Sequence, residues 1–169
     1  MRSALIGGAA ALVLALAGPA LASTVHFKAH LNGKSEVPAN KTAGAGDLTA
    51  SLDTTTKLFT YKVTYDGLTG AATMAHFHGP AKAGANAPPI VVVSDPGSPI
   101  SGEATLTDPQ IADLKKGLWY FNVHTAANPG GEIRGQVKRD VNWGQAEEAP
   151  GRGVDLGNLP RQAGQISDR

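Results

Sequence analysis

The segment MAHFHGP, residues 74–80, places two of the chain's five histidines, His76 and His78, one residue apart. Side chains of an extended strand alternate between its two faces, so these imidazoles project from the same side. Imidazole ligates metal in its neutral form, which prevails at pH 7 because its ordinary pKa is about 6.5. A third histidine, His124, closes the stretch GLWYFNVHT, where Trp119, Phe121 and Val123 take one face and Tyr120, Asn122 and His124 the other. Near the start of the chain, His26 and His30 share a face of TVHFKAHL, opposite Phe27 and Leu31. His76, His78 and His124 are thus the candidate metal ligands and His30 the candidate fourth, whereas His26 is expected to be solvated. There is no cysteine, so the donors are nitrogen. Such a set suits copper or zinc, and the Irving–Williams order favours Cu(II). One ion per chain is the expected stoichiometry.

The elements that must position these side chains are short and evenly punctuated. TVHFKAHL, GDLTASLD, KLFTYKVTYDGL, ATMAHFH, PIVVVS, GEATL, GLWYFNVHT and GEIRGQVK read as strands separated by turn residues, the second and third joined as a hairpin through Asp53 to Thr56. This pattern predicts an all-β fold, a sandwich or barrel with Greek-key connections. One short helix interrupts it at TDPQIADLKKG, with Asp108 expected as N-cap, Pro109 at the first helical position, Ile111 and Leu114 inward and Gly117 as terminator. Residues 78–89 form a long loop of low apolar content, the kind that carries function on a β scaffold.

The ends of the chain read differently. Residues 1–22 combine a basic start, a short apolar run and the small-residue site Ala20-Leu21-Ala22, the pattern of a secretory signal peptide. Its removal takes away Arg2 and leaves the mature chain with 14 basic residues against 14 acidic ones. That neutrality points to neither nucleic acid nor an anionic membrane, and no second apolar span follows. The expected location is periplasmic or secreted. Residues 138–169 hold charges, glycines and prolines without apolar periodicity, and are expected to be a flexible polar tail after a domain covering residues 23–137.

Three segments carry a resemblance. FKAHLNGKSEVPAN, YDGLTGAATMAHFHGPAKAGANAPPIVV and WYFNVHTAANPGGEIRGQV, in that order, resemble the CHRD domain, found in chordin and singly in exported bacterial proteins. The pattern departs at Ala39, where the family usually has a second proline after Glu36-Val37-Pro38. The resemblance implies a sandwich of immunoglobulin-like or superoxide-dismutase-like type. The histidine-bearing part is also similar in character to copper–zinc superoxide dismutases. That likeness implies that His76 and His78 are the His-x-His copper pair, His124 the later ligand, and Arg134 an anion-guiding arginine beside an open copper face. The chain lacks the cysteine pair, the bridging histidine and the zinc-loop cluster of those enzymes, so a mononuclear copper site is what remains.

The function that follows is an exported copper protein dismuting superoxide, its partner a small anion attracted by the fixed charge of Arg134. Arg134 has a competing structural reading as an ion-pair partner of Glu132 or Glu36, and Tyr120 and Asn122 as orienters of His124 or as an ordinary polar face. Two other functions use the same sequence: copper binding or buffering without turnover, and a metal-free protein-interaction module. A hydrolase is disfavoured, since no serine or cysteine nucleophile stands in a recognisable setting. Oligomeric state is left open by the sequence.

Overall fold

In the computed structural model, which describes residues 23–144, the alternating stretches become eight strands. These are β1 (Thr24–Asn32), β2 (Ala45–Asp53), β3 (Leu58–Asp66), β4 (Ala72–His78), β5 (Pro89–Val92), β6 (Ile100–Thr105), β7 (Trp119–Thr125) and β8 (Ile133–Arg139). Every pairing is antiparallel, and the order across the sheet is β5-β4-β7-β8-β1-β2-β3-β6. Strands β3 and β4 are far apart in that order, yet the rings of Phe59 and Phe77 meet edge to face with centroids 5.3 Å apart. Trp119 of β7 touches both, at 5.9 and 6.0 Å. The sheet therefore curls over and packs its inner face on itself, which is the all-β, sandwich-like arrangement the punctuated strands predict.

Alternation decides which side chains enter that core. Phe27, Ala29 and Leu31 of β1, Ala75 and Phe77 of β4, and Trp119, Phe121 and Val123 of β7 are buried inward. Their neighbours one residue along, His26, His30, His76, His78, Tyr120, Asn122 and His124 among them, stand on the outer face by the same parity. The histidines are thus displayed on the back of a rigid apolar layer.

The helix α1 (Asp108–Lys115) forms where the sequence predicts it, with Leu114 fully buried, but its cap is Thr107 rather than Asp108. The Thr107 hydroxyl accepts from the Gln110 amide, and Gln110 Oε1 accepts from the Thr107 amide at 2.8 Å, a reciprocal capping box. Asp108 is thereby released to the surface, where it pairs with Lys57 at 2.8 Å. Removing the cap with Thr107→Ala is expected to lower stability by ~1 kcal/mol, a fall of a few degrees in thermal midpoint. Asp108→Ala, which removes only an exposed ion pair, should move it much less in the same melting experiment.

Strand β8 runs two residues past the expected domain boundary, with Lys138 and Arg139 opposite Lys28 and Phe27 of β1. The Asp140 amide donates to the His26 carbonyl at 2.8 Å, the Asp140 carboxylate takes Lys28 Nζ at 2.9 Å, and Trp143 stacks on His26 at 4.2 Å. The ordered packing consequently extends beyond Val137, and His26 is covered rather than solvated. The expected signal peptide and the tail from residue 145 lie outside the described residues. Among the described residues no helix is long and apolar enough to cross a membrane.

Candidate metal centre

Strands β4 and β7 are neighbours, and their register sets Met74 opposite His124, His76 opposite Asn122 and His78 opposite Tyr120. Paired residues on one face have Cβ atoms ~5 Å apart, close enough for long side chains to meet. The outcome is a cluster in which His76, His78 and His124 each offer a ring nitrogen within 4.8 Å of the others. His76 Nδ1 and His124 Nε2 are 3.2 Å apart. Asn122 Oδ1 stands 3.0 Å from His78 Nε2 and 3.0 Å from His124 Nε2. Separations of this size match the edges of a coordination polyhedron with metal–ligand bonds of ~2.0–2.1 Å.

Proton accounting identifies which ring nitrogens are free to meet a cation. His78 Nδ1 lies 2.9 Å from the Ala87 carbonyl and His124 Nδ1 lies 2.9 Å from the Pro129 carbonyl. A carbonyl only accepts, so each Nδ1 carries the hydrogen and each Nε2 is left with a lone pair. Those lone pairs point at Asn122 Oδ1, itself an acceptor, whose amide nitrogen faces the Glu36 carboxylate. The His124 lone pair can take a hydrogen from His76 Nδ1 at 3.2 Å, whereas the His78 lone pair meets Asn122 Oδ1, and a bound cation would satisfy both imidazoles and the amide oxygen together. Protonation is resisted, because burial, followed by the neighbouring imidazoles, lowers the pKa of His76. Burial also dominates the lowering at His78, against the bonds to Ala87 and Asn122 that favour its charged form. The donor set, three imidazoles and a neutral amide oxygen, fits copper or zinc and offers nothing to hard ions that demand carboxylates.

Two loops hold the rings in place. The loop of residues 79–88, between β4 and β5, folds over the outer face and supplies the Ala87 carbonyl to His78 and to the Tyr120 hydroxyl, which donates at 3.2 Å. It also supplies Asn86 Oδ1 and the Ala85 carbonyl to Arg134, at 2.9 and 2.7 Å. The loop between β7 and β8 supplies the Pro129 carbonyl to His124. Glu132 locks that loop: it accepts from the Thr42 hydroxyl at 2.6 Å, the Thr69 amide at 2.7 Å, the Thr69 hydroxyl at 2.6 Å, the Asn128 side chain at 3.0 Å, and the Thr125 hydroxyl. Burial alone would raise this carboxyl, but the hydrogen bonds outweigh it and hold its pKa at about 2. Gly131, at φ 128°, has to be glycine, because a Cβ there would run into the Glu36 carboxylate and stand 2.8 Å from Asn122 Nδ2.

The expected fourth ligand is not brought to the cluster. His30 shares the outer-face parity, but β8 lies between β1 and β7, which sets it ~10 Å from β7 and ~14 Å from β4 across the sheet, and its Nδ1 pairs with Asp47 at 2.9 Å in solvent. The fourth polar atom that the fold does bring to the cluster is Asn122 Oδ1. Arg134 also departs from expectation as an anion guide. It is 1 % exposed, its donors are taken by the 79–88 loop, and its guanidinium lies 3.4 Å over the Tyr120 ring. Nor does it pair with Glu132, which serves the threonines.

Tyr120 in turn stacks on the His78 imidazole, centroids 4.7 Å apart and planes within 2°. Glu36, read from sequence as an ion-pair partner of Arg134, is buried beside Arg134 and Asn122, and burial pushes its carboxyl up to about 7 against the pull of Arg134. The carbonyls of Ala85, Ala87 and Pro129 have no side-chain signature, so only the folded chain reveals them.

No curated protein and no solved structure matches the chain. Residues 27–137 match the CHRD domain, a span that takes in the three histidines of the cluster, both loops that orient them, and most of the sheet. The chain belongs to the CHRD domain family.

Proposed function

We propose that this CHRD domain binds one copper ion through His76, His78 and His124. The observation that carries the reading is the convergence of three ring nitrogens, two of which, in His78 and His124, are left as acceptors by backbone carbonyls behind the rings. The lone pairs of His78 and His124 converge on Asn122 Oδ1, 3.0 Å from each, where a cation would satisfy all three acceptors. Nitrogen donors without thiolate or carboxylate favour copper over the other first-row divalent ions.

The reading extends to turnover of superoxide. His78 and His124 are enclosed while His76 is half-buried, so the β4–β5 side offers a small anion an approach to the centre. Bound copper would supply a one-electron couple that superoxide can both reduce and reoxidise. The protein's own part is to fix the imidazoles and keep them neutral. With Arg134 buried, no guiding cation enters this proposal, and encounter with the anion relies on diffusion. The N-terminal pattern of residues 1–22 supports an exported, periplasmic or secreted setting for this chemistry.

Titration of the metal-free protein with Cu(II) is expected to saturate at one ion per chain, with electron paramagnetic resonance showing hyperfine structure from three imidazole nitrogens. The thermal midpoint rises with excess metal, since copper binds only the folded state. An interaction module without metal would take up no stoichiometric copper and show no such rise. A storage protein would bind copper and leave superoxide decay at the rate of the buffer.

A further inference from the structure

We propose that Arg134 sets the oxidation-state preference of the copper centre, biasing it toward Cu(I) through the Tyr120–His78 stack. The inference rests on the copper reading above and assigns this chain a property that reading does not contain. Arg134 is a buried cation whose bonded partners are neutral, the Asn86 side-chain oxygen and the Ala85 carbonyl. Among the described residues its guanidinium enters no salt bridge within 4 Å, those being Lys28–Asp140, His30–Asp47 and Lys57–Asp108. The acid that faces it, Glu36, makes no bond to the guanidinium and is pushed toward its neutral form by burial, so the enclosed charge is incompletely balanced and its field is weakly screened.

The field has a defined direction. Guanidinium, phenol ring and imidazole are layered, the first two 3.4 Å apart and the last two 4.7 Å apart and parallel. The charge thus sits roughly 8 Å from the His78 ring, with an aromatic plane rather than water between them. The donors around the metal are neutral, so the centre carries two positive charges with Cu(II) or Zn(II) and one with Cu(I). A fixed cation nearby opposes the second charge and leaves the cuprous state less affected. With an effective dielectric of ~20, a unit charge at that range changes the ratio of Cu(I) to Cu(II) affinity by on the order of tenfold or more. Arg134 is on this account a tuning residue that acts through Tyr120 and His78 without touching the metal. Divalent zinc is disfavoured by the same field.

Two substitutions test this. Arg134→Met removes the charge and keeps the bulk. Asn86→Asp, at an exposed position, keeps the hydrogen bond to Arg134 and adds a neutralising carboxylate, while giving up the Asn86 bond to the Val37 carbonyl and leaving the Arg134–Tyr120–His78 layer itself unsubstituted. Cu(I) affinity is measured by competition with bicinchoninate, Cu(II) and Zn(II) affinities by titration, and the midpoint potential by voltammetry of the copper-loaded protein. Each variant is expected to lower the Cu(I):Cu(II) affinity ratio about tenfold, a fall of ~59 mV in midpoint potential, and to raise Zn(II) affinity. If Arg134→Met does not fold, Asn86→Asp decides alone. Copper uptake with an unchanged ratio in folded Asn86→Asp overturns the assignment of Arg134 and leaves the centre standing. No copper uptake by the unaltered protein overturns the centre and the assignment together.

Discussion

His124→Ala is expected to lower copper affinity by about two to three orders of magnitude, because binding energies of ~10–16 kcal/mol over four ligands assign ~2.5–4 kcal/mol to each. The loss should exceed that of any other single change at the centre. His124 supplies one lone pair, is the neighbour of His76 at 3.2 Å, and is aimed by the Pro129 carbonyl at 2.9 Å. The paramagnetic spectrum of any residual complex should report two coupled imidazoles in place of three. The informative control is His30→Ala, which should leave affinity and spectrum unchanged, since His30 is occupied with Asp47 on the far side of β8. Loss of affinity on His30→Ala, with His124→Ala silent, would sink the assignment of the ligands.

The second large effect concerns Glu132. Replacing it with alanine strands the hydroxyls of Thr42, Thr69 and Thr125 and the Thr69 amide in a buried pocket, which is expected to lower stability by ~3–5 kcal/mol. Thermal or denaturant unfolding measures it. Copper affinity should fall as well, because Glu132 anchors the loop whose Pro129 carbonyl orients His124.

The pH dependence has a definite sign. Glu132 titrates at about 2 in the folded chain against 4.5 ordinarily, so its contribution is full above 4.5 and is lost as pH falls from 4.5 through 2. Glu36 acts oppositely: with its folded value raised to about 7, the stability linked to it is full below 4.5 and is lost as pH rises through 7. Glu132→Ala should therefore flatten the acid limb of the stability profile, and Glu36→Gln the limb between 4.5 and 7.

Much of this was readable in the residues. Strict alternation in TVHFKAHL, ATMAHFH and GLWYFNVHT assigns every histidine to its correct face, because the strand period is fixed by backbone geometry and is independent of what the strand pairs with. Strand order is a different kind of information. That β4 lies beside β7, and that β8 separates β1 from both, depends on long-range pairing that no local period encodes. Parity therefore groups His76, His78 and His124, which converge, with His30, which does not. Arg134 illustrates the other blind spot. Its face is the one its parity indicates, but the 79–88 loop covers it with the Ala85 carbonyl and the Asn86 side chain, and no local period shows that this loop folds there. The helix cap, by contrast, was legible: Thr107 followed three residues later by Gln110 is the capping-box signature, stronger than the lone Asp108.

The pairing of β1 with β8 brings Phe27 beside Arg139 and Asn32 beside Arg134. With strands rising ~3.4 Å per residue, the points where the chain enters β1 and leaves β8 adjoin one another at one pole, ~17 Å along the strand from Arg134 and the layer it shares with the histidines. Polypeptide attached before residue 24 or after residue 140 would depart side by side, as from the stem of a fruit. Such an attachment, whether to a solid support, a carrier or a further module, leaves the histidine pole facing outward and unobstructed.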